Sequence, residues 1–483
     1  MKVAALSFRL MPTPVDRLPP IAALRRTVFA VVLVLGGCAA APPAPSAVVP
    51  VVPVPVGWSG TAASAARDGQ PVDLASWWRS FGDAELDGLV ARSLKASPDL
   101  EACAARVRSV RAMAREADAR LGPRLSLVGA PQQNADGRST YFQSGLGAEW
   151  NVPLPQRQSS LAGLAEAELQ GALADEQAAR ATLVAEVART YFEMRAAERD
   201  QQVLLQLSEL GDERERLTLA LWQAQQLSST DVDAAASARA QARAAVAEPA
   251  AHAAQARVRL GVLLGDLRAD LPAALTEAAP PARAALGLTA LPADLVRQRP
   301  AVRRAEQSVF RAAHATGLAR ADTQPQISLM GLIGLTTAIS GPASSSLRGV
   351  FSAGPAFSIP LFDGGQREAN QLARHAEFDE ATALYRKEVL QGVAEAQSAL
   401  IQLDLERQRV AAALAAQSAA QRLASSTDAQ ASAGLADGLQ RADARRVALQ
   451  ASRASLEAAR AEQLAYVALF TSFGGAALPG AAP

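Results

Sequence analysis

Aromatic side chains are scarce in this chain of 483 residues. They make up 4% of the sequence, whereas hydrophobic residues make up 49%, much of it alanine. Alanine favours helix and lets helices approach closely, so we expect long packed helices rather than a core built from aromatic rings. The 48 basic and 47 acidic residues leave a formal net charge of +1. Without a clustered basic excess, the sequence offers no nucleic-acid footprint.

Histidine and cysteine are also rare. The three histidines, His252, His314 and His375, are scattered and lack the spacing of metal ligands. No P-loop, no Gly-x-Gly-x-x-Gly run and no Gly-x-Ser-x-Gly elbow occurs. We therefore predict neither a metal site nor an enzyme active site. Cys103 lies among alanines in a stretch with helical spacing, which favours a small packing residue over a reactive thiol.

The N-terminal apolar run 27–35 is too short to cross a bilayer as a helix, but it has the length of a signal-peptide core. It follows two arginines and ends in Leu-Gly-Gly before Cys38. Small residues before a cysteine, directly after such a core, resemble a bacterial lipobox. We therefore predict a lipoprotein signal peptide over residues 1–37 and covalent lipid on Cys38. The alternative is an ordinary signal peptide that happens to contain a cysteine. Ala39 follows instead of aspartate, which favours the outer membrane.

Residues 39–56 combine small residues and valine with frequent proline. Proline fixes φ and removes backbone donors, so the pattern is typical of an extended tether. We expect residues 39–56 to stay outside the folded core, and we assign residues 38–71 to the lipidated cysteine and its Pro-rich tether.

An internal repeat organises the rest of the chain. The run 123–129 (PRLSLVG) returns 202 residues later as 325–331 (PQISLMG). The run from Leu260 to Gly265 returns as Leu469 to Gly474, 209 residues later. A nearly constant offset is what duplication plus a small insertion leaves. We predict two repeats, each with a helix, a strand pair, a very long helix, a turn and a long helix; they cover residues 72–275 and 291–475.

The strand predictions rest on apolar residues that alternate with small or polar ones. Each strand has about 10 residues, the length that a tilted strand needs to cross a bilayer, and apolar-out alternation is the pattern of outer-membrane barrels. A half-buried sheet in a soluble protein has the same alternation. The four predicted strands are 124–134, 144–154, 326–337 and 349–361.

The long helices are predicted from apolar residues at helical spacing, in stretches with little proline. At ~1.5 Å per residue, a helix over 159–226 would be ~100 Å long. A rod of that length has to pack against other rods or line a long tube. The four predicted long helices are 159–226, 230–264, 364–430 and 437–470.

Four strands cannot close a barrel, and an open sheet cannot sit in lipid because its edge groups are unsatisfied. If the strands are transmembrane, several chains must combine them. Three chains would supply twelve strands; two or four chains are not excluded by counting.

Several motifs in this order resemble the TolC superfamily of outer-membrane factors, in the lipoprotein branch often called NodT-type. They include Trp77-Trp78 with Phe81-Gly82-Asp83, Arg299-Pro300, Pro360-Leu361-Phe362-Asp363-Gly364-Gly365, and Ala433-Gly434. The similarity covers about residues 72–475.

The resemblance implies a mainly α-helical fold with transmembrane β: a trimeric twelve-stranded barrel, four strands per chain, continued by a helical coiled-coil tunnel in the periplasm. It implies a homotrimer in the outer membrane that passively exports small molecules such as drugs, toxic compounds or metals. A periplasmic adaptor (membrane fusion protein) and an inner-membrane pump, usually of the resistance-nodulation-division class, are the implied partners. The competing hypothesis is a lipid-anchored coiled-coil spacer without a pore.

Two departures from the family pattern concern functional places. The first repeat has Pro153-Leu154-Pro155-Gln156-Arg157 where the family usually has a Phe-Gly turn. Aligned through Ala433-Gly434, the two acidic positions of the family's periplasmic gate hold Gln440 and Asp443. We take Leu439, Gln440 and Asp443 as candidate gate residues; ordinary packing or solvated residues of a hairpin tip are the alternative. Ser228, Thr230 and Asp231 form the equivalent tip in the first repeat, as candidates for adaptor contact or for capping the next helix.

Overall fold

The computed structural model describes residues 51–54, 74–133, 140–268, 271–273, 296–340 and 347–475. The chain divides into two units, Met1–Ser46 and Ala47–Pro483. The predicted signal peptide and Cys38 lie outside the described residues, as does most of the predicted tether.

The second unit consists of the repeated series of elements. A short 3₁₀ helix, Trp77–Phe81, comes first. In the first repeat follow α1 Ala84–Ala96, α2 Pro98–Ala119, β1 Arg124–Gln133, β2 Thr140–Val152, α3 Pro155–Gln223, α4 Ser229–Ala245 and α5 Ala247–Leu263. In the second follow α6 Pro300–Ala321, β3 Gln326–Ser340, β4 Arg348–Ser358, α7 Gln366–Ser432 and α8 Gly438–Ser472.

Both very long helices are present: α3 has 69 residues and α7 has 67. Helix α3 begins at Pro155, four residues before its predicted start, because proline at the first helical position is already set to helical φ and has no N–H to leave unpaired. Within the described part of the chain, no helix combines the length and apolarity that a membrane crossing requires.

The prediction of one continuous helix over 230–264 is wrong. The structure has two helices there, α4 and α5, which meet at Val246. Pro249 is the physical reason, because it has no N–H to donate to the carbonyl of Ala245 and its ring crowds the preceding turn. At the break, the Val246 N–H donates to the Arg243 carbonyl, three residues back, at 3.4 Å.

The main core lies where the 3₁₀ helix, α1 and the C-terminal part of α8 pack against the middle of α3 and α7. Trp77 is 1% exposed and stacks on Phe470, with ring centroids 4.9 Å apart. Phe81 contacts Phe192 in the same cluster at 4.7 Å. Eight aromatic residues of the chain are gathered in this one cluster, and alanine-rich helix packing accounts for much of the rest of the core.

The expectation that the tether stays outside the fold is wrong for its described part. Val52 and Val54 pack against a cluster of four buried valines on the second repeat, Val296, Val302, Val389 and Val393. The cause is the alternation of the segment: Val51 and Pro53 are exposed, while the two other valines are half-buried.

Candidate functional site

The four strands form one antiparallel sheet in the order β1-β2-β3-β4. The register pairs Leu127 with Leu146, Leu146 with Ile333, and Ile333 with Phe351. Directly opposite residues of antiparallel strands point to the same face, so these rows build one apolar face across all four strands. In the single chain this face is open: Leu127 is 81% exposed and Phe351 is 77% exposed.

The opposite face of the sheet carries most of the small and polar residues, beside a few apolar ones. Its polar members include Ser126, Gln143, Glu149, Ser328 and Ser352, and its apolar members include Val128, Met330, Leu332 and Val350. Gly145 and Gly334 are direct partners on this face, and a Cβ built on Gly145 would lie 2.5 Å from the Gly334 Cα. No larger residue fits this pair unless the backbones separate, which explains why glycine recurs in a strand.

The order of the strands in the sheet matches the order of the helices packed next to it. Among the described residues, β1 pairs only with β2, and β4 pairs only with β3. The helices next to the sheet are neighbours in the corresponding order α2-α3-α6-α7. Helix α2 therefore lies beneath β1, and α7 lies beneath β4. Next to the sheet, both layers are thus open on the same two sides among the described residues; α8, which also packs on α7, contacts it further from the sheet.

Side chains join the sheet to the helices at the unusual junction of the first repeat. The Trp150 indole N–H donates to the Leu121 carbonyl at 2.8 Å. Arg157 Nη1 lies 2.5 Å from the Asp322 carboxylate, and the Gln324 amide donates to Gln156 at 2.8 Å. The Gln156 and Arg157 that replace the family's usual turn therefore bind the start of α3 to the end of α6.

The second repeat uses a different junction. Gly364 and Gly365 have φ values of +69° and +89°, which only glycine adopts readily. The Asp363 carboxylate accepts hydrogen bonds from the backbone N–H groups of Gly365 and Arg367, at 3.1 and 3.2 Å. Leu361 and Phe362 beside it are 92% and 93% exposed in the single chain.

The far ends of the long helices form two similar hairpin tips. At the first, the Ser228 hydroxyl and the Asp231 carboxylate make a reciprocal capping box; at the second, Asp437 and Gln440 do the same 209 residues later. Hydrogen bonds from the hydroxyl and the backbone N–H of Ser228 lower the pKa of Asp231 below its ordinary value. Thr230 also lies within 2.6 Å of the Ser228 hydroxyl.

The candidate gate residues take different roles. Gln440 is engaged in the capping box. Leu439 lines a groove between α3, α4 and α8. Asp443 lies 2.5 Å from Arg214 of α3, and Arg441 lies 3.1 Å from Glu213 of the same helix. Two ion pairs thus hold the start of α8 against α3.

Sequence reasoning missed Arg214 as a partner of Asp443. A signal was present, because Arg214 interrupts an apolar series in α3 at the position of a packing residue. An arginine at such a position needs a nearby acid or carbonyl.

Sequence reasoning also missed a buried polar cluster beside the core. The Arg195 side chain is 4% exposed and forms ion pairs with Glu85 and Glu198, the latter at 2.8 Å. The Tyr191 hydroxyl donates to Asp83 at 2.7 Å, and burial raises the pKa of this phenol above its ordinary value. The cluster binds the start of α1 to the middle of α3. The spacing of Tyr191 and Arg195 on one helix face was the available signal.

The three histidines lie on three different helices, α5, α6 and α7. In the described ranges, no group of three or more His, Cys, Asp or Glu side chains is placed to hold a metal ion.

A family model described as "Outer membrane efflux protein" matches residues 89–266 and 291–475, one stretch per repeat. The chain is 29% identical to the outer membrane protein OprJ of Pseudomonas aeruginosa over 481 residues, which is 92% of this chain and 94% of OprJ. It is 30% identical to the cation efflux system protein CusC of Escherichia coli O6:H1 over 71% of this chain and 75% of CusC.

The fold is similar to that of a solved structure of the outer-membrane channel OprN. The TM-score is 0.77 at 28% sequence identity, over 89% of this chain and 99% of the OprN chain. The predicted fold class, mainly helical with four antiparallel strands per chain, is confirmed. Because the family model covers both repeats, the chain belongs to the outer membrane efflux protein family of the bacterial outer membrane.

Proposed function

We propose that three copies of this chain form one channel, in which their strands close a twelve-stranded barrel across the outer membrane and their helices continue the pore into the periplasm. The observation that carries the proposal is the pair of matching open sides in the sheet and in the helical layer. If β4 of one copy pairs with β1 of the next, the same rotation brings α7 of one copy against α2 of the next. Ring closure satisfies the edge backbone groups, as a hydrocarbon environment demands.

The two faces of the sheet fit the two sides of such a barrel. The apolar face would contact lipid, while the serines, glycines and glutamines of the other face would line the pore. The exposed fractions of Leu127 and Phe351 support this orientation, since a soluble sheet would bury them.

A passive conduit for small molecules such as drugs, toxic compounds or metals follows from this architecture. Energy would come from an inner-membrane pump, of the resistance-nodulation-division class, connected through a periplasmic adaptor. The name of CusC describes cation efflux, and the chain is also 30% identical to SrpC, a solvent efflux pump outer membrane protein of Pseudomonas putida, so no single cargo is favoured. The exposed tip residues Ser228, Thr230 and Asp231 are the proposed adaptor contact.

The periplasmic gate would be held closed in each subunit by the Arg214–Asp443 and Glu213–Arg441 ion pairs, with Leu439 and Gln440 beside them. These pairs connect the second hairpin to α3, so breaking them frees the start of α8 to move outward. Lipid on Cys38 would anchor each subunit to the membrane; several acyl chains bind a bilayer far more firmly than one.

Detergent extraction of the full-length protein tests the proposal. A channel predicts a heat-labile trimer with strand signal in circular dichroism and stepwise conductance in planar bilayers. A monomer that leaves bilayers insulating would support the competing hypothesis, a lipid-anchored coiled-coil spacer.

A further inference from the structure

Near the sheet, α2 and α7 each have one side that faces away from the rest of the described chain. Helix α2 packs on α3 with Val107 and Val110 buried, and α7 packs on α6 with Val389 and Val393 buried. On the opposite side of each helix, five exposed residues follow one another at helical spacing. We call these sets the α2 row, which is Ala119, Ala112, Arg108, Ala105 and Glu101, and the α7 row, which is Ala369, Ala376, Glu380, Ala383 and Lys387.

The two rows have the same spacing. Counted from the sheet, the steps along each row are seven, four, three and four residues. Helix α2 runs toward the sheet and α7 runs away from it, so the rows of two neighbouring copies would be antiparallel. Ala119 is the last residue of α2 and Ala369 is the fourth of α7, so each lies within ~5 Å of the sheet end of its helix. Placing these two alanines opposite each other aligns every other member of the rows.

This alignment brings opposite charges together. Arg108 lies at the level of Glu380, and Glu101 lies at the level of Lys387. The remaining positions of the rows place alanine opposite alanine, and small side chains at a contact allow two helix axes to come close. Within the described residues, none of the four charged side chains forms an ion pair. Each row therefore offers the charges that the other lacks.

The neighbouring registers are unfavourable. A shift by one heptad in one direction brings Glu101 opposite Glu380, and a shift in the other direction brings Arg108 opposite Lys387. Like charges that meet across an interface are strongly disfavoured. The alanine spacing alone would tolerate these shifts, so the charges are what selects one register.

We propose that α2 of one subunit and α7 of the next pack along these two rows in this single register, with Arg108 paired to Glu380 and Glu101 paired to Lys387. The inference rests on the proposed function, because it takes the open sides of the helical layer to meet in a ring. Exposed ion pairs contribute little stability, but they fix register. Since β1 follows α2 and β4 precedes α7, the same register sets the stagger at which the strands of neighbouring subunits meet.

Disulfide formation in oxidised outer membranes tests the register. In a Cys103→Ala background, Ala105→Cys combined with Ala383→Cys should give a covalent trimer on non-reducing denaturing gels, since a disulfide needs Cβ atoms about 4 Å apart. Within one chain α3 and α6 lie between the two helices, so the bond joins different subunits. Ala105→Cys with Ala376→Cys is the matched control, ~10.5 Å out of register, and should give about tenfold less product. Equal products from the two combinations, or none from either in a heat-labile trimer, would overturn the register.

Charge reversal tests the ion pairs. Arg108→Glu should lower the temperature at which the trimer dissociates by several degrees, because two carboxylates then meet at each subunit contact. Adding Glu380→Arg should restore the original temperature. Arg106→Glu is the matched control, since Arg106 is exposed on α2 but lies on a different side of the helix from the α2 row. An equal loss in this control, or no recovery in the double exchange, would refute the pairing.

The register and the channel fail in different ways. A protein that forms neither trimer nor conductance contradicts the channel, whatever charges it carries. A conducting trimer that cross-links through Ala105→Cys and Ala376→Cys keeps the channel and discards this register.

Discussion

At the scale of single residues, α3 carries a charged side chain at a position where its helical spacing predicts an apolar one. Arg214 follows Leu210 in the apolar series of α3 and precedes Leu217. Its partner Asp443 lies 229 residues further along the chain. Both side chains remain partly exposed, at 36% and 45%, so solvent screens the pair and its contribution to stability is small. Its value for the molecule is positional, since it attaches α8 to α3.

Replacing either member of this pair should therefore affect the pore more than the fold. We expect Arg214→Ala and Asp443→Ala each to raise single-channel conductance or open probability severalfold in planar bilayers, with little change in trimer thermal stability. The exchange Arg214→Asp with Asp443→Arg should restore the closed behaviour.

Arg445→Ala is the matched control, because the ion pair of Arg445 is with Asp428 of α7 and not with an acid of α3. If this control opened the channel as much as Arg214→Ala does, the proposed gate contact would be wrong.

The tip residue Asp231 should make the start of α4 sensitive to acid. Its pKa is lowered in the folded chain, so its contribution is complete above the ordinary aspartate pKa and is lost as pH falls through the lower folded value. Hydrogen exchange of the first turn of α4 should accelerate below about pH 4. Asp231→Asn should exchange faster at neutral pH and lose this acid dependence; an unchanged acid response in the variant would contradict the assignment.

At the scale of elements, glycine decides how closely two strands approach. Gly145 and Gly334 lie opposite each other at the contact between the two repeats, where β2 meets β3. The same face carries Gly147 in β2, where a built Cβ would make only ordinary contacts, 3.4 Å or more from Val128 and Ser126.

Alanine substitution should separate these two situations. Gly145→Ala and Gly334→Ala should each lower the temperature at which the trimer dissociates by several degrees, because the added methyl forces the β2 and β3 backbones apart. Gly147→Ala, the control on the same face of an interior strand, should leave that temperature unchanged. Gel mobility after stepwise heating measures the dissociation temperature. Equal effects at all three positions would contradict the role of the Gly145–Gly334 contact.

At the scale of the whole molecule, the two faces of the sheet contact different solvents, lipid and water, only when several copies close a ring. Phe351 and Ser352 are neighbours in β4 on opposite faces, near the middle of the strand. In the proposed trimer, Phe351 faces lipid and Ser352 faces water.

Arginine at these neighbours should therefore have opposite consequences. Phe351→Arg should reduce the amount of assembled trimer in the outer membrane strongly, since arginine near the bilayer midplane of a barrel costs ~2–4 kcal/mol per subunit. Ser352→Arg should assemble normally and shift the ion selectivity of the conductance toward anions. Immunoblots of unheated membranes and reversal potentials give the two readouts. Normal assembly of Phe351→Arg would mean that the apolar face does not meet lipid.

Local pattern was sufficient for most of the elements. Period-two alternation located the strands, because strands show their two faces directly in sequence, and the repeat offset doubled the evidence for each. The predicted helix over 230–264 breaks at Val246 because the missing donor of Pro249 outweighs the helical periodicity on both sides of it. The capping residues at Ser228 and Asp437 were recoverable for the same local reason, since a cap involves residues three apart.

Sequence by itself thus determined the duplication, the lengths of the rods and the two-faced strands, since each depends on neighbours within a few residues or on a constant offset. Only the tertiary structure decided which side chains meet. The Arg214–Asp443 pair, the Arg195 cluster and the seating of Val52 and Val54 on the second repeat join residues far apart in the chain. Such contacts depend on how the helices pack against one another, and periodicity within one segment carries no information about its partner in another.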